Sequence, residues 1–451
     1  MSRILAFKLG AIALLILLLM IPLTMIDGLV NERQYLRQGV LQDIARSSSY
    51  SQKITGPILV LPYTKVWHEW KTHSKTGERY LDEQRSHGRL YFLPERFVLN
   101  GKVGTELRAR GIYEALLYRS DNQVSGAFKL PARLGLGDDL GLYHFDEPFL
   151  AVGISDVRGI SNDLQLTFNG AQLSFEPGSG EERFGEGVHA PLPALDSQGG
   201  KMLEFAFNLQ LQGTEQLSVT PVGRDSRVEL SSDWPHPSFV GEYLPSSRDI
   251  GAEGFTAHWQ TSFFATNLEQ ALQDCVGRES CEGLAARTFG VSFVDPVDQY
   301  LKTERAIKYA LLFIGLTFAV FFLFEVLKRM AVHPVQYALV GMSLALFYLL
   351  LLSLSEHLSF ASAYAISAAA CVALIGFYVS HVLHSWLRGG AFGGLLGLLY
   401  GLLFGLLSAE DYALLMGSIL VFAVLGCVMV LTRKLDWYSV GRSAPASTAT
   451  L

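Results

Sequence analysis

The chain has 451 residues, of which 50% are hydrophobic and only 17% charged, and its formal net charge is -6 at pH 7. So small a charged fraction over this length argues against an ordinary soluble domain, and no block of like charge is long enough to form a nucleic-acid-binding arm. A membrane protein is the class that remains.

The first apolar run, Leu9 to Ile26, follows Arg3 and Lys8. A secretory signal peptide begins the same way, but no small-x-small cleavage site follows and the apolar core is longer than such a peptide needs, so the run reads as an uncleaved span. Apolar residues continue at Leu29, Val30, Leu36, Val40, Leu41 and Ile44 among Glu32, Arg33, Arg37 and Asp43. This helical spacing extends the span as an amphipathic stalk to about Ser47.

From Ile54 the texture changes to short apolar and β-branched runs broken by Gly, Pro and Asn. Phe97 to Val103 (FVLNGKV) and Leu164 to Phe175 (LQLTFNGAQLSF) each carry Asn-Gly between alternating residues and predict type I′ hairpins. Further strands are expected at Ile58 to Pro62, Tyr113 to Arg119, Val124 to Leu130, Phe149 to Ile154, Leu203 to Leu211, Gln216 to Val222, Val228 to Ser232 and Phe255 to Phe264. Runs of this number and length favour a β-sandwich or two packed sheets. Pro177 to Gly200, rich in Gly, Pro, Glu and Ser, reads as a surface loop and a candidate division between β subdomains. Asn267 to Cys275 predicts a short helix, and Cys275 and Cys281 can pair across VGRES in an oxidising compartment, with two free thiols as the alternative.

Ile307 to Leu327 is long enough, as a helix, to cross the roughly 30 Å of bilayer hydrocarbon, and Lys328 and Arg329 follow it. Val335 to Leu354, Leu358 to Val379, Ala391 to Leu407 and Tyr412 to Leu431 complete six spans, two of them enclosing Cys371 and Cys427. Arg3, Lys8, Lys328, Arg329, Arg388, Arg433 and Lys434 fall on one side if the spans alternate, whereas the loops SEHL and SAED carry acids and no Lys or Arg. The positive-inside rule then puts both termini in the cytoplasm and the segment Asp27 to Arg305 outside. The expected fold class is an α-helical polytopic membrane bundle of six transmembrane helices with a large mainly-β domain inserted between helices 1 and 2. Its expected divisions are 1–27, 28–305, 306–434 and a tail, 435–451.

Chemistry-bearing motifs are sparse. HEWKTH at His68 to His73 has one residue too many for a zinc-binding HExxH, and neither a G-x-S-x-G elbow nor a phosphate-binding G-x-x-x-x-G-K-[ST] occurs. Asp138 and Asp139 lie in a Gly-rich stretch that reads as solvated. No catalytic residue, metal ligand or cofactor is assigned.

Glu325 is the single ionisable group in the apolar part of its span, where a charge is expensive. At i+3 and i+4 stand Lys328 and Arg329, so an interfacial ion pair is the first reading and a proton or substrate relay the second. His333, His357, His381 and His384 fall at span ends or in short loops, with Glu356 beside His357; interfacial placement is the first reading and proton sensing the second.

In the fifth span Gly389, Gly393, Gly397, Gly401 and Gly405 recur every four residues, the spacing of close helix approach. The fourth offers Ala361, Ala365, Ala369 and Ala373. These stripes are expected to pack against each other, with contact to another subunit as the alternative.

Several stretches are similar to a known family: GPILVLPY from Gly56, RGIY from Arg110, HPSF from His236, GFTAHW from Gly254, VDQY from Val297, FLFE ending at Glu325, HPVQYALVG from His333 and LSEH ending at His357. Together they resemble the CreD family, bacterial inner-membrane proteins associated with cell-envelope integrity. The resemblance runs over most of the chain and leaves out Pro177 to Gly200 and the tail after Tyr438. It implies an inner-membrane location, a periplasmic β domain, and a link to envelope stress and β-lactam response through a two-component system. It supplies no catalytic residues. The partners expected are the lipid bilayer and a periplasmic protein or cell-wall component; a homo-oligomer is open and nucleic acid is not expected. The functional readings in order are a non-enzymatic envelope protein, a small proton-coupled transporter centred on Glu325, and a periplasmic enzyme.

Overall fold

The structure, a computed structural model, describes residues 3–75, 77–196, 200–278, 281–293, 299–328, 332–408 and 413–433. It divides into two compact units, Met1–Gln38 with Val297–Leu451, and Gly39–Pro296.

The first unit is helical. Helix α1 (Arg3–Ser47) runs unbroken through the first apolar run and the amphipathic stretch beyond it. Three short helices belong to the second unit: α2 (Phe263–Thr266), α3 (Leu268–Arg278) and α4 (Glu282–Ala286). Then come α5 (Gln299–Lys308), α6 (Ala310–Lys328), α7 (Pro334–Ser355), α8 (Phe360–Val382), α9 (Trp386–Ser408) and α10 (Ala413–Thr432). Among the described residues four helices are long and apolar enough to cross a membrane, or five if the pair α5 and α6 counts as one. That pair corrects the expected straight span from Ile307, because the chain bends by 45° around Tyr309 and the apolar helix proper starts at Ala310. Leu19, Leu23 and Ile26 of α1 are buried with Phe313 and Phe318 of α6 and Val340 and Leu344 of α7, so one apolar stripe of α1 faces those two helices.

The second unit is mainly β. In chain order its strands are β1 (Gln52–Thr72), β2 (Arg79–Phe92), β3 (Arg96–Arg110), β4 (Tyr113–Lys129), β5 (Tyr143–Phe145), β6 (Phe149–Ile154), β7 (Gln165–Phe168), β8 (Ala171–Ser174) and β9 (Glu176–Pro177). They continue as β10 (Gly187–Pro191), β11 (Met202–Thr214), β12 (Gln216–Thr220), β13 (Asp225–Ser232), β14 (Pro237–Gly241), β15 (Ser247–Gly251), β16 (Gly254–Ser262) and β17 (Phe289–Phe293). One sheet has the order β14-β17-β12-β1-β6-β10-β9, with β2 and β5 also pairing β1; the other has the order β15-β16-β13-β3-β4-β11-β7-β8.

Inward residues of both sheets share one core, with Leu59, Leu150 and Val219 from the first and Leu99, Val124 and Leu230 from the second. Trp259 of β16 stacks on Phe289 of β17, with ring centroids 5.2 Å apart, and its indole N–H donates to the Tyr243 carbonyl at 3.1 Å. This contact joins the two sheets and satisfies the one polar atom of a buried ring. On the far part of α1, Val40, Leu41 and Ile44 pack on Ala115 and Leu117 of β4.

Local turn chemistry succeeds at one Asn-Gly and is overridden at the other. Asn169 (φ 47°) and Gly170 (φ 82°) form the two-residue turn between β7 and β8. Asn100-Gly101, by contrast, lies in the middle of β3, paired on one side with β4 and on the other with β13. The expected hairpin there is therefore corrected. Gly101 is needed for clearance: a Cβ would lie 2.5 Å from Leu230 Cδ2 and 2.9 Å from Asn122 Oδ1. Likewise Tyr113 to Arg119 and Val124 to Leu130 are parts of one strand, β4, because β3 and β11 pair it along both edges through the polar residues between. Pro177 to Gly200 is not wholly a loop, since Gly187–Pro191 pairs β6 inside the sheet. In GPILVLPY, Gly56 (φ 114°) sits at a bulge in the β1–β6 ladder, where a side chain would meet the Ala151 carbonyl.

Candidate functional site

In the helical unit the polar side chains gather at the two ends of α7. His333 caps its start: the ring accepts the Val335 N–H at 3.3 Å, and the Gln336 side chain accepts the His333 N–H at 3.1 Å. Pro334 supplies the preferred first helical residue. This cap sets Val332 just before the helix and Tyr337 one turn inside it.

Glu325, in the last turn of α6 and only 5% exposed, is held between them. Its Oε1 accepts the Val332 N–H at 3.2 Å and its Oε2 accepts the Tyr337 hydroxyl at 3.0 Å. Lys8 of α1 forms an ion pair with Oε1. The expected pairing with Lys328 and Arg329 falls on side chains outside the described residues. A buried carboxylate with an ammonium partner and two further donors has its lone pairs engaged and its charge balanced.

The other end carries a second acid. Glu356, the residue after α7, meets Arg33 Nε of α1 at 3.4 Å and accepts the Tyr300 hydroxyl of α5 at 3.4 Å. His357 beside it is exposed, and its backbone N–H donates to the Leu354 carbonyl. His381 is exposed, its ring tilted against Phe377 with centroids 4.5 Å apart, and His384 stands at φ 49° in the turn after α8. The residues the sequence singled out are thus not brought into one place: Glu325 and His333 belong to one end of α7, Glu356 and His357 to the other.

Between the two ends lies a centre that the sequence did not announce. Tyr400 of α9 donates to the Cys371 sulfur of α8 at 3.1 Å, Cys371 to the Ser343 carbonyl of α7 at 3.4 Å, and Tyr364 to the Tyr400 carbonyl at 2.7 Å. Phe313 of α6 and Phe347 of α7 each pack on the Tyr400 ring at 4.6 Å. Tyr and Phe in an apolar run look alike to hydropathy, so only their convergence reveals the cluster.

The small-residue stripes need correction. Helices α8 and α9 do approach closely, but through Gly389 against Ser380 and Gly393 against Gly376, whose Cα would be 3.8 Å from a Cβ on Gly393. Gly397 and Gly401 have nothing within 4 Å of a Cβ, Gly405 only Met416 at 4.0 Å, and Ala361, Ala365, Ala369 and Ala373 are all exposed. The reason is helical pitch: four residues overshoot a turn by about 40°, so a stripe from Gly389 to Gly405 swings through roughly 160°. Its ends cannot share a face.

In the β unit two carboxylates are buried and fully engaged. Glu181 accepts Arg89 Nη1 at 2.6 Å and the Tyr91 hydroxyl at 2.5 Å. Burial pushes its pKa up, but the Tyr91 and Arg89 hydrogen bonds and the Arg89 charge outweigh that and hold it below the usual carboxylate range. Tyr91 is pushed up to about 12 by burial and by Glu181.

Asp156 accepts both Nε and Nη2 of Arg158, at 2.9 and 2.7 Å, and the Tyr50 N–H at 3.1 Å. The Arg158 bond, ahead of the cost of burial, depresses its pKa. Arg158 also donates to the carbonyl of Arg46 in the last turn of α1. Cys275, buried among Leu268, Leu272 and Leu284, is joined to Cys281 by a disulfide. Asp138 and Asp139 pair with Arg133 and Lys65 at the surface.

A family model described as "Inner membrane protein CreD" matches residues 4–438. The chain belongs to the CreD family. Inner membrane protein CreD of Escherichia coli (strain K12) is 39% identical over 425 residues, covering 94% of this chain and 92% of that one. Among solved structures, yeast LTA4 hydrolase in complex with bestatin overlaps 50% of this chain and 35% of its own at 9% identity and a TM-score of 0.20, a likeness too slight to carry any argument. The stretches on which the CreD resemblance rests fall on the structures just described: FLFE ends in Glu325, HPVQYALVG holds the cap and Tyr337, LSEH holds Glu356, GPILVLPY the bulge and GFTAHW the inter-sheet Trp259. This CreD chain is an inner-membrane protein with apolar membrane helices and a large mainly-β region.

Proposed function

We propose that this CreD-family protein supports the integrity of the bacterial envelope without catalysing a reaction. Six helices hold it in the inner membrane with both termini cytoplasmic, and the β unit, on the periplasmic side, binds a protein or cell-wall partner during envelope and β-lactam stress. The observation carrying this reading is where the buried charge goes. The buried Glu325, Glu181 and Asp156 and the partly buried Glu356 each meet a cation within their own unit, which suits scaffolding.

The test is to express the helices without residues 48–296 in cells lacking the protein. β-lactam tolerance should stay at the level of the deletion; full restoration by the helices alone would overturn the role given to the β unit. A reporter active only in the cytosol, inserted at the exposed Asn169-Gly170 turn, should be silent.

The Lys8–Glu325 pair favours one second reading, a proton-coupled device, since an acid buried in a membrane helix beside an ammonium is a common element of relays. Flux in proteoliposomes abolished by Glu325→Gln would promote it. Normal assembly and phenotype in the same variant would dismiss it.

A further inference from the structure

Helix α10 leaves much of its described apolar surface uncovered. Leu415, Ile419, Phe422, Leu425, Met429 and Val430 are all more than half exposed, and Phe422 reaches 79%. Between α10 and α6 runs an open cleft of about 500 Å³ lined by Tyr309, Leu312, Gly417, Ser418, Val421, Phe422 and Leu425. Tyr309 and Leu312 also line a narrow cavity of about 20 Å³ bounded by Phe313, Leu316 and Leu403, which deepens the groove toward α9. Gly417 keeps the floor low: a Cβ there would meet only Leu406, at 3.5 Å.

Resting on the reading of α6 and α10 as membrane spans, such a groove is a poor site for water, because its walls are apolar apart from Tyr309 and Ser418, whose hydroxyl already donates to the Leu415 carbonyl at 2.8 Å. Hydrocarbon must fill it. From Gly417 to Leu425 the cleft is about 12 Å long, the length of part of an acyl chain and much less than the roughly 30 Å over which two spans pack.

One end of the groove is charged. Tyr309 follows Arg305 and Lys308, the basic residues of the last turn of α5. Lys308 is exposed and shares its charge with Glu304 at 2.7 Å, while Lys302 lies over the Phe360 ring; α5 thus keeps a positive balance where the groove begins.

We propose that this groove is a binding site for an anionic phospholipid, one acyl chain lying between α6 and α10 and the phosphate-bearing headgroup set against the end of α5 at Lys308. Hydrocarbon contact supplies most of the hold, and the cations supply the preference for a negative headgroup.

Native mass spectrometry of the full chain in mild detergent, titrated with phosphatidylglycerol and with phosphatidylcholine, tests this. Wild type should retain phosphatidylglycerol over phosphatidylcholine by roughly tenfold, and Lys308→Glu should erase that preference while leaving phosphatidylcholine retention unchanged. Gly417→Phe, or Val421→Trp if the first is not monodisperse, should abolish retention of both. Equal retention of the two lipids by wild type, or undiminished retention by a filled-groove variant, overturns the proposal. Resistance of the chain to carbonate extraction, measured alongside, separates failure of this site from failure of the membrane reading.

Discussion

Lys8 forms an ion pair with Glu325, a residue 317 positions further along the chain. The same helix carries Arg33, which meets Glu356. From Lys8 to Arg33 is about 37 Å of helix, close to the hydrocarbon thickness with a small margin, so α1 is pinned to its bundle by one charge at each edge of the apolar layer.

Removing one partner of a buried pair strands the other, at a cost of roughly 3–5 kcal/mol. Lys8 keeps 30% of its side chain exposed, so Lys8→Met should fall at or below the lower end of that range. The double variant Lys8→Met, Glu325→Gln should recover much of the loss, since no bare charge remains. Thermal denaturation in detergent reads both; a double variant no better than the single would show that the pair does not secure α1.

The glycines of α9 should divide by position. Gly389→Leu drives a side chain into Ser380, whose Cα would be 2.5 Å from the new Cβ, and should destabilise the bundle by about 1–3 kcal/mol. Gly397→Leu meets open space and should gain up to about 1 kcal/mol from helix propensity. If Gly397→Leu instead breaks a defined oligomer on size-exclusion chromatography, that face belongs to a neighbouring subunit.

Asp156 and Glu181 both have pKa values lowered by folding, so their contribution is present at neutral pH and is lost as pH falls through the folded values. Arg158→Ala should therefore lower the melting temperature at pH 7, and the gap from wild type should close in the acid range below the ordinary aspartate value. A gap that is constant from neutrality down to strong acid would mean that Arg158 acts through its bond to the Arg46 carbonyl and its place over the Tyr50 ring, not through Asp156.

Reducing the Cys275–Cys281 bridge frees a short loop, for which chain entropy gives about 2 kcal/mol. Cys275→Ser should cost about that much or slightly more, because Cys275 is buried beside Leu272. Intact-mass analysis before and after alkylation should find neither thiol free in native protein.

Length and hydropathy decided, from sequence alone, that long apolar helices and a large mainly-β region are both present, because the cost of burying or exposing such runs is a property of each run by itself. The Asn169-Gly170 turn was legible for the same reason: its short strands leave the local φ preference unopposed. What only the tertiary structure decided is every assignment that depends on a distant neighbour. Asn100-Gly101 became mid-strand because β4 and β13 pair both its edges, Glu325 met Lys8, and the glycine stripe of α9 dispersed around its helix. The aromatic cluster at Tyr400 is built from four helices whose residues no window of sequence holds together. Periodicity fixes the angular position of each side chain on its own element, and packing alone determines what stands opposite.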